Sequence, residues 1–233
     1  ERMANSSAGN YMPPPFSEWC VWQLADSAFP TGGFVHSFGL EAAHQHGEVP
    51  DVAALRGFLK GSLLQAGYGV MPLVNAAYRS PDRFAELDRL ADVFLTNPVA
   101  NRASRVQGRT LVATCARVWP GDAIASFDRA ARAGCAHVGP VTGVALHHVG
   151  APLWVVQRLV LYLAARGVLS AAVRLGIAGS YEVQRLQAEC APDLDRVLAR
   201  CAQFDEGDLA QPAPLIDVFQ AGHDRLYSRL FQS

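Results

Sequence analysis

The sequence contains a single lysine, Lys60, among its 20 basic residues. It is not set in a G-x-x-x-x-G-K-[ST] pattern, so a phosphate-cradling loop of that kind is excluded. The chain also lacks a G-x-S-x-G nucleophile elbow and an H-E-x-x-H metalloprotease helix, so no catalytic chemistry is advertised. An excess of either charge is missing as well. With 20 basic against 21 acidic residues the net charge is −1, which argues against a chain-wide field for nucleic acid. The five cysteines (Cys20, Cys115, Cys135, Cys190, Cys201) include no C-x-x-C pair and sit in apolar or helical contexts. They are expected to be free thiols in a reducing compartment. Residues 1–15 carry no apolar h-region of a signal peptide, and a cytoplasmic location is expected. The most apolar region, 152–177, is punctuated by Arg158, Arg166 and Arg174, so a buried helix pair is expected there rather than a membrane span.

Half of the residues are apolar and 18% are charged, the composition of a globular chain. At 233 residues one large core is expected. No stretch alternates persuasively as a strand, and no repeat recurs at a solenoid period. Apolar residues recur instead at helical spacing between Gly and Pro punctuation. The expected fold is all-α, a single globular domain of about ten helices over 17–233, behind a polar, Pro-rich disordered leader over 1–16. Ser17, Asp51, Ser80-Pro81, Ser180 and Asp193 read as helix starts. Helices are expected over 99–118, 121–133, 139–149, 152–166 and 169–177, and Gly67 and Gly69 are expected to interrupt the one that starts at Asp51. A last segment runs over 217–231.

The densest mixture of special residues lies between Ala25 and Glu41, A-D-S-A-F-P-T-G-G-F-V-H-S-F-G-L-E. Pro30 fixes φ and Gly32-Gly33 permits a tight turn, so a sharp corner between two helices is expected. His36 and Glu41 are the most chemical-looking pair, a His–carboxylate couple of the kind that does acid/base work. Five residues apart they face each other only partly, and a His bonded to backbone beside a capping or partner-facing Glu is the competing reading. His44/His46, Cys135/His137 and His147/His148 are spaced so that a helix would turn each pair apart, so they read as packed or surface residues before metal ligands. Ser104/Gly108 and Gly39/Ala43 each leave a groove that another helix could enter. Arg102, Arg105, Arg109 and Arg117 read as a solvated set wrapped around their helix.

Four stretches, in order, resemble the urease accessory protein UreF family. They are Phe29-Pro30-Thr31-Gly32-Gly33-Phe34-Val35-His36-Ser37-Phe38-Gly39-Leu40-Glu41, Ala103-Ser104 with Gln107-Gly108, Arg174 to Ser180 with Gln184, and His223 with Ser228 to Ser233. The similarity runs from about Trp19 to Ser233. His36 stands where bacterial members often carry Tyr, and H-S-F-G-L-E-A-A looks closer to the plant-type form.

The resemblance implies a non-enzymatic, all-helical adaptor that forms a homodimer. It would bridge the accessory protein UreD (also called UreH) and the GTPase UreG, so that nickel reaches apo-urease in a GTP-dependent step. No cofactor of its own is implied: nickel is handled by the complex and GTP is bound by UreG. Neither nucleic acid nor membrane is an implied partner. By the same resemblance, partner contact is expected from Gly32, Gly33, His36, Ser37 and Glu41 at the corner, and from Arg174, Gln184, Arg229, Leu230 and Phe231. For each residue a packing role competes. Two other readings stand beside the adaptor: an all-α enzyme using His36 and Glu41 in a helix-lined pocket, and a structural helical oligomer.

Overall fold

A computed structural model describes residues 16–233, so the leader expected over 1–16 lies, apart from Phe16, outside the described residues. The described residues form twelve α-helices and no strand. They are α1 (Glu18–Ala25), α2 (Leu40–Gln45), α3 (Val52–Gln65), α4 (Met71–Arg79), α5 (Phe84–Phe94) and α6 (Pro98–Val118), then α7 (Asp122–Ala133), α8 (Val138–Val149), α9 (Leu153–Arg174), α10 (Ser180–Glu189), α11 (Ala191–Cys201) and α12 (Pro214–Gly222). The all-α fold read from the sequence is the fold observed.

Local chemistry explains several boundaries. The Asp51 carboxylate accepts the Ala54 N–H and starts α3, and the Asn97 side-chain oxygen accepts the Val99 and Ala100 N–H groups at the start of α6. Gly67 and Gly69 do not break the chain between α3 and α4. Ala66–Val70 widens into one π-helical turn, and the Tyr68 carbonyl there accepts the Ala210 N–H at 3.1 Å.

Two further sequence expectations about helices fail. The helices expected over 152–166 and 169–177 are one continuous helix, α9. Gly167 does not end it; its missing side chain makes room for the Phe38 ring, whose edge would lie 2.7 Å from a Cβ at this position. Asp193 is not a cap but sits in the first turn of α11, which begins at Ala191. The last segment leaves helical geometry after α12, passing through a short 3-10 turn (His223–Arg225) into an irregular tail.

The apolar side chains form two adjoining clusters rather than one. The first is built from α2, α3, α10, α11 and the C-terminal half of α9, with Leu40, Leu55, Leu63, Leu161 and Leu186 essentially inaccessible. The second gathers α1, α4 to α8 and the N-terminal half of α9 around Leu87, Val112, Val144, Leu146 and Val156. Helix α9 has the length and apolarity of a membrane span, but both clusters cover it and more than half of its most apolar stretch is buried.

Where the clusters meet, a buried polar hub ties α4, α9 and α11 together. The Asn75 amide donates to the Phe204 carbonyl at 2.9 Å and the Cys201 carbonyl at 3.2 Å. Gln157 donates to Asn75 Oδ1 at 2.9 Å and to the Ala202 carbonyl at 2.8 Å. These amides satisfy carbonyls at and just beyond the C-terminal end of α11, which a helix otherwise leaves orphaned. Asn75→Ala should therefore lower stability by about 2–3 kcal/mol in chemical denaturation, the cost of stranding buried carbonyls. An unchanged midpoint would show that the hub is dispensable.

Candidate functional site

The corner forms where the Pro30 and Gly32-Gly33 pattern put it. Gly32 has φ +72°, Gly33–Val35 make a 3-10 turn, and Phe38 and Gly39 both take positive φ (57° and 87°) before α2 begins. This sequence of turns aims alternate groups in opposite directions. Phe34 points outward and is exposed, whereas His36, Ser37 and Glu41 point inward and are buried.

What they meet is the tail after α12. Glu41, 1% exposed, accepts the Leu230 N–H at 2.5 Å and the Phe231 N–H at 3.2 Å, and pairs with His223 Nε2 at 3.0 Å. His36 Nδ1 lies 2.5 Å from the Ser233 hydroxyl. The Ser37 N–H and hydroxyl both donate to the Ser233 carbonyl, and the Gln232 N–H donates to the Val35 carbonyl at 2.8 Å. Arg174, in the last turn of α9, closes the arrangement from the side. It donates to the Phe34 carbonyl at 2.6 Å, and its guanidinium lies over the Phe34 and Phe231 rings at 4.4 and 4.0 Å. Beyond these, the tail turns Tyr227, Arg229 and Leu230 to solvent.

Of the residues singled out in the sequence, the structure brings His36, Ser37, Glu41, Arg174, Leu230 and Phe231 into one latch between corner and tail. Arg229 flanks it, paired to Asp224 at 3.6 Å. Gly32 and Gly33 shape the corner. Gln184 is exposed on α10 and has no side-chain hydrogen bond to the latch among the described residues. Because His36, Ser37, Glu41 and Phe231 are buried, they bear on the outer surface through the tail they hold and not by direct exposure.

A cavity of about 410 Å³ lies beneath the corner between α6, α8 and α9, lined by Phe29, Gly32, Phe34, Phe38, Leu111 and Leu159 among others. His36 and Glu41 are not on its wall, so the pocket chemistry imagined for an enzyme is not assembled. The groove at Gly39/Ala43 is filled by α12: a side chain at Gly39 would meet the Ile216 carbonyl at 3.0 Å. Arg102, Arg105 and Arg109 do share one face, lining an open cleft with Asp92, whereas Arg117 does not join them.

The sequence carried no signal for His223 as the partner of Glu41, because 182 residues separate them. Nor does spacing show that Cys135 and His137, read as divergent on a helix, converge on Asp92. They precede α8 in non-helical backbone, with Ala136 at φ +61° between them.

The UreF family model matches residues 49–191. Urease accessory protein F of Arabidopsis thaliana is 36% identical over 222 residues, spanning 93% of this chain and 92% of that protein. The chain belongs to the UreF family. The Oryza sativa subsp. indica protein of the same name is 35% identical over 230 residues, covering 92% of this chain and 85% of the relative. A UreF-like protein of Schizosaccharomyces pombe is 31% identical, covering 90% and 94%. Membership implies a part in urease maturation alongside other maturation factors. These relatives are named as accessory proteins, not enzymes, and the enzyme reading is set aside.

The latch has a pH dependence. Burial, and then the neighbouring His223, hold the His36 imidazole down at about 4, against an ordinary value of 6.5. The docked state thus keeps His36 neutral where an undocked His36 would take up a proton. The stability this contributes is complete above pH 6.5 and is lost as pH falls toward 4, amounting to about 3 kcal/mol across that window. Amide exchange at Leu230 to Ser233, corrected for intrinsic rates, should speed up on acidification from pH 7 to 5. His36→Gln should flatten that response; an acid response of equal size in the variant would assign it to another group.

Proposed function

We propose that the chain is an adaptor in urease maturation. In this reading it bridges the UreD/UreH accessory protein and the UreG GTPase so that nickel is inserted into apo-urease in a GTP-dependent step. It works as a homodimer in the cytoplasm, binds no cofactor tightly and leaves GTP to UreG. The observation that carries the reading is the latch. A corner rich in turn residues spends its buried polar groups on holding a short tail, and the tail in turn leaves Tyr227, Arg229 and Leu230 exposed, as Phe34 is on the corner. A chain folded only for stability has no need to leave that many large side chains on one irregular segment, and exposed apolar groups beside an arginine have the composition of a protein-binding hot spot. Family membership supports the urease context.

Light scattering coupled to size exclusion, on the chain alone and with its cognate UreD and UreG, tests this. A dimer that retains both partners is expected. Leu230→Ala and Arg229→Ala should weaken retention of a partner about tenfold or more, as hot-spot truncations do, with the tail still docked. Glu41→Ala should release the tail and lose retention as well. A folded chain that retains neither partner would overturn the adaptor reading.

A further inference from the structure

Where the loop before α8 meets α5 and α6, three potential ligands come from two separate elements. The Cys135 thiol, a His137 ring nitrogen and an Asp92 carboxylate oxygen all lie within 4.8 Å of one another. Asp92 is on α5 and is half-exposed at the wall of the open cleft; Cys135 is half-buried; His137 is fully buried. We propose that these three side chains form a binding site for a divalent first-row transition metal of the zinc, cobalt or nickel type, with its remaining coordination positions open to the cleft.

The loop that carries two of the ligands is built with unusual care. Asp88, one turn before Asp92 on α5, is buried and accepts the N–H groups of Cys135, Ala136 and His137 at 2.8, 2.9 and 2.7 Å. Three consecutive amides wrapped on one carboxylate hold Ala136 in its left-handed conformation, which would otherwise be unfavourable for a residue with a Cβ. From the other side α6 approaches so closely that a Cβ at Gly108 would lie 1.9 Å from the Ala136 carbonyl. The strained turn is thus clamped from both sides, and its effect is to bring residues 135 and 137 to the same point. Strain that the surroundings hold in place so specifically is characteristic of functional sites.

The surroundings of the imidazole also suit a ligand. His137 Nε2 lies 3.0 Å from Asp92 Oδ1, and Nδ1 lies 3.1 Å from the Ser104 hydroxyl. In the metal-free protein Nε2–H donates to Asp92 Oδ1; with the ring proton moved to Nδ1 and donated to Ser104, the Nε2 lone pair would face a metal, the outer-shell arrangement that fixes ligating histidines. Ser104 Oγ, which also accepts the Val138 N–H at 3.2 Å, has lone pairs for both donors. Thiolate, imidazole and carboxylate together make a borderline-soft donor set, suited to zinc-like cations and poor for magnesium or calcium.

Charge favours a cation as well. The Asp92 carboxylate is itself one of the three groups, and the Asp88 carboxylate holds the amides of the loop that carries the other two. Among the described residues Arg105, 4.0 Å from Asp92, is the opposing cation beside these groups; its side chain is 39% exposed and borders the cleft. On binding, the metal–sulfur bond replaces the S–H bond and the thiol proton leaves to solvent, with no change of oxidation state. The three ligands leave an open position, the arrangement of an exchangeable site rather than a closed structural one.

The test uses the full chain and cobalt(II) and zinc(II) salts alone, with no urease partner present, so that it is independent of the adaptor reading. One equivalent of cobalt should produce a thiolate-to-metal charge-transfer band. Cys135→Ser should abolish the band, Cys20→Ser should leave it, and Asp92→Asn should weaken zinc affinity tenfold or more. Zinc should raise the Tm of the wild-type chain but not that of Cys135→Ser, whose metal-free Tm should match wild type. Absence of a charge-transfer band, or a band that survives in Cys135→Ser, would overturn the proposal.

Discussion

The latch between corner and tail depends on one carboxylate. Glu41 is buried, and an ionised carboxylate removed from water is tolerated only when hydrogen-bonded donors replace the water it has lost. The donors here are two backbone amides of the tail and the ring nitrogen of His223. The two amides belong to no regular element and His223 to a single 3-10 turn, so the carboxylate and the tail stabilise each other. His36, Ser37 and Arg174 reinforce the contact, but the amides of Leu230 and Phe231 have no helical or strand partners and would otherwise need water. This is the physical reason why the last segment leaves helical geometry after α12.

The second constraint is the path of α9. It passes through both apolar clusters, contributing Val156 and Leu159 to one and Leu161, Val168 and Leu169 to the other. Its C-terminal end places Arg174 against Phe34 and Phe231, and Gly167, two turns earlier, receives the Phe38 ring. The corner is therefore registered on α9 at two points, which sets where Phe34 emerges. Helix α6 has the corresponding role on the other side: Thr114 donates to the Pro30 carbonyl at 3.0 Å, while Ser104 and Gly108 receive the loop before α8. The small residues that suggested a groove for a helix instead admit a backbone turn. A Gly or Ser advertises close approach, but not what approaches.

Much of this was legible in the residues. Capping side chains, Pro at first helical positions and 3.6-residue periodicity marked most of the twelve helices, because these signals act over a single turn and do not depend on distant chain. The corner was visible for the same reason: Pro30 and Gly32 restrict or widen φ locally. The four motifs carried family membership. What failed were inferences that treated a local signal as sufficient. Gly167 looked like a break and is a contact; Asp193 looked like a cap and lies inside a turn; the spacing of Cys135 and His137 would part them on a helix, and they converge because Ala136 between them adopts positive φ.

The sequence by itself thus determined the all-helical class, the positions of most helix starts, the sharp corner and the family. Only the tertiary structure decided that His36 and Glu41 bond to different residues of the tail and not to each other, that His223 completes the latch, and that Asp92 joins Cys135 and His137. The reason is the same in each case. Helix propensity and turn chemistry are summed over a few neighbouring residues, whereas burial, pairing of a buried charge and convergence of ligands depend on groups 33 to 197 residues apart in the chain, which meet only when the two apolar clusters have closed around α9.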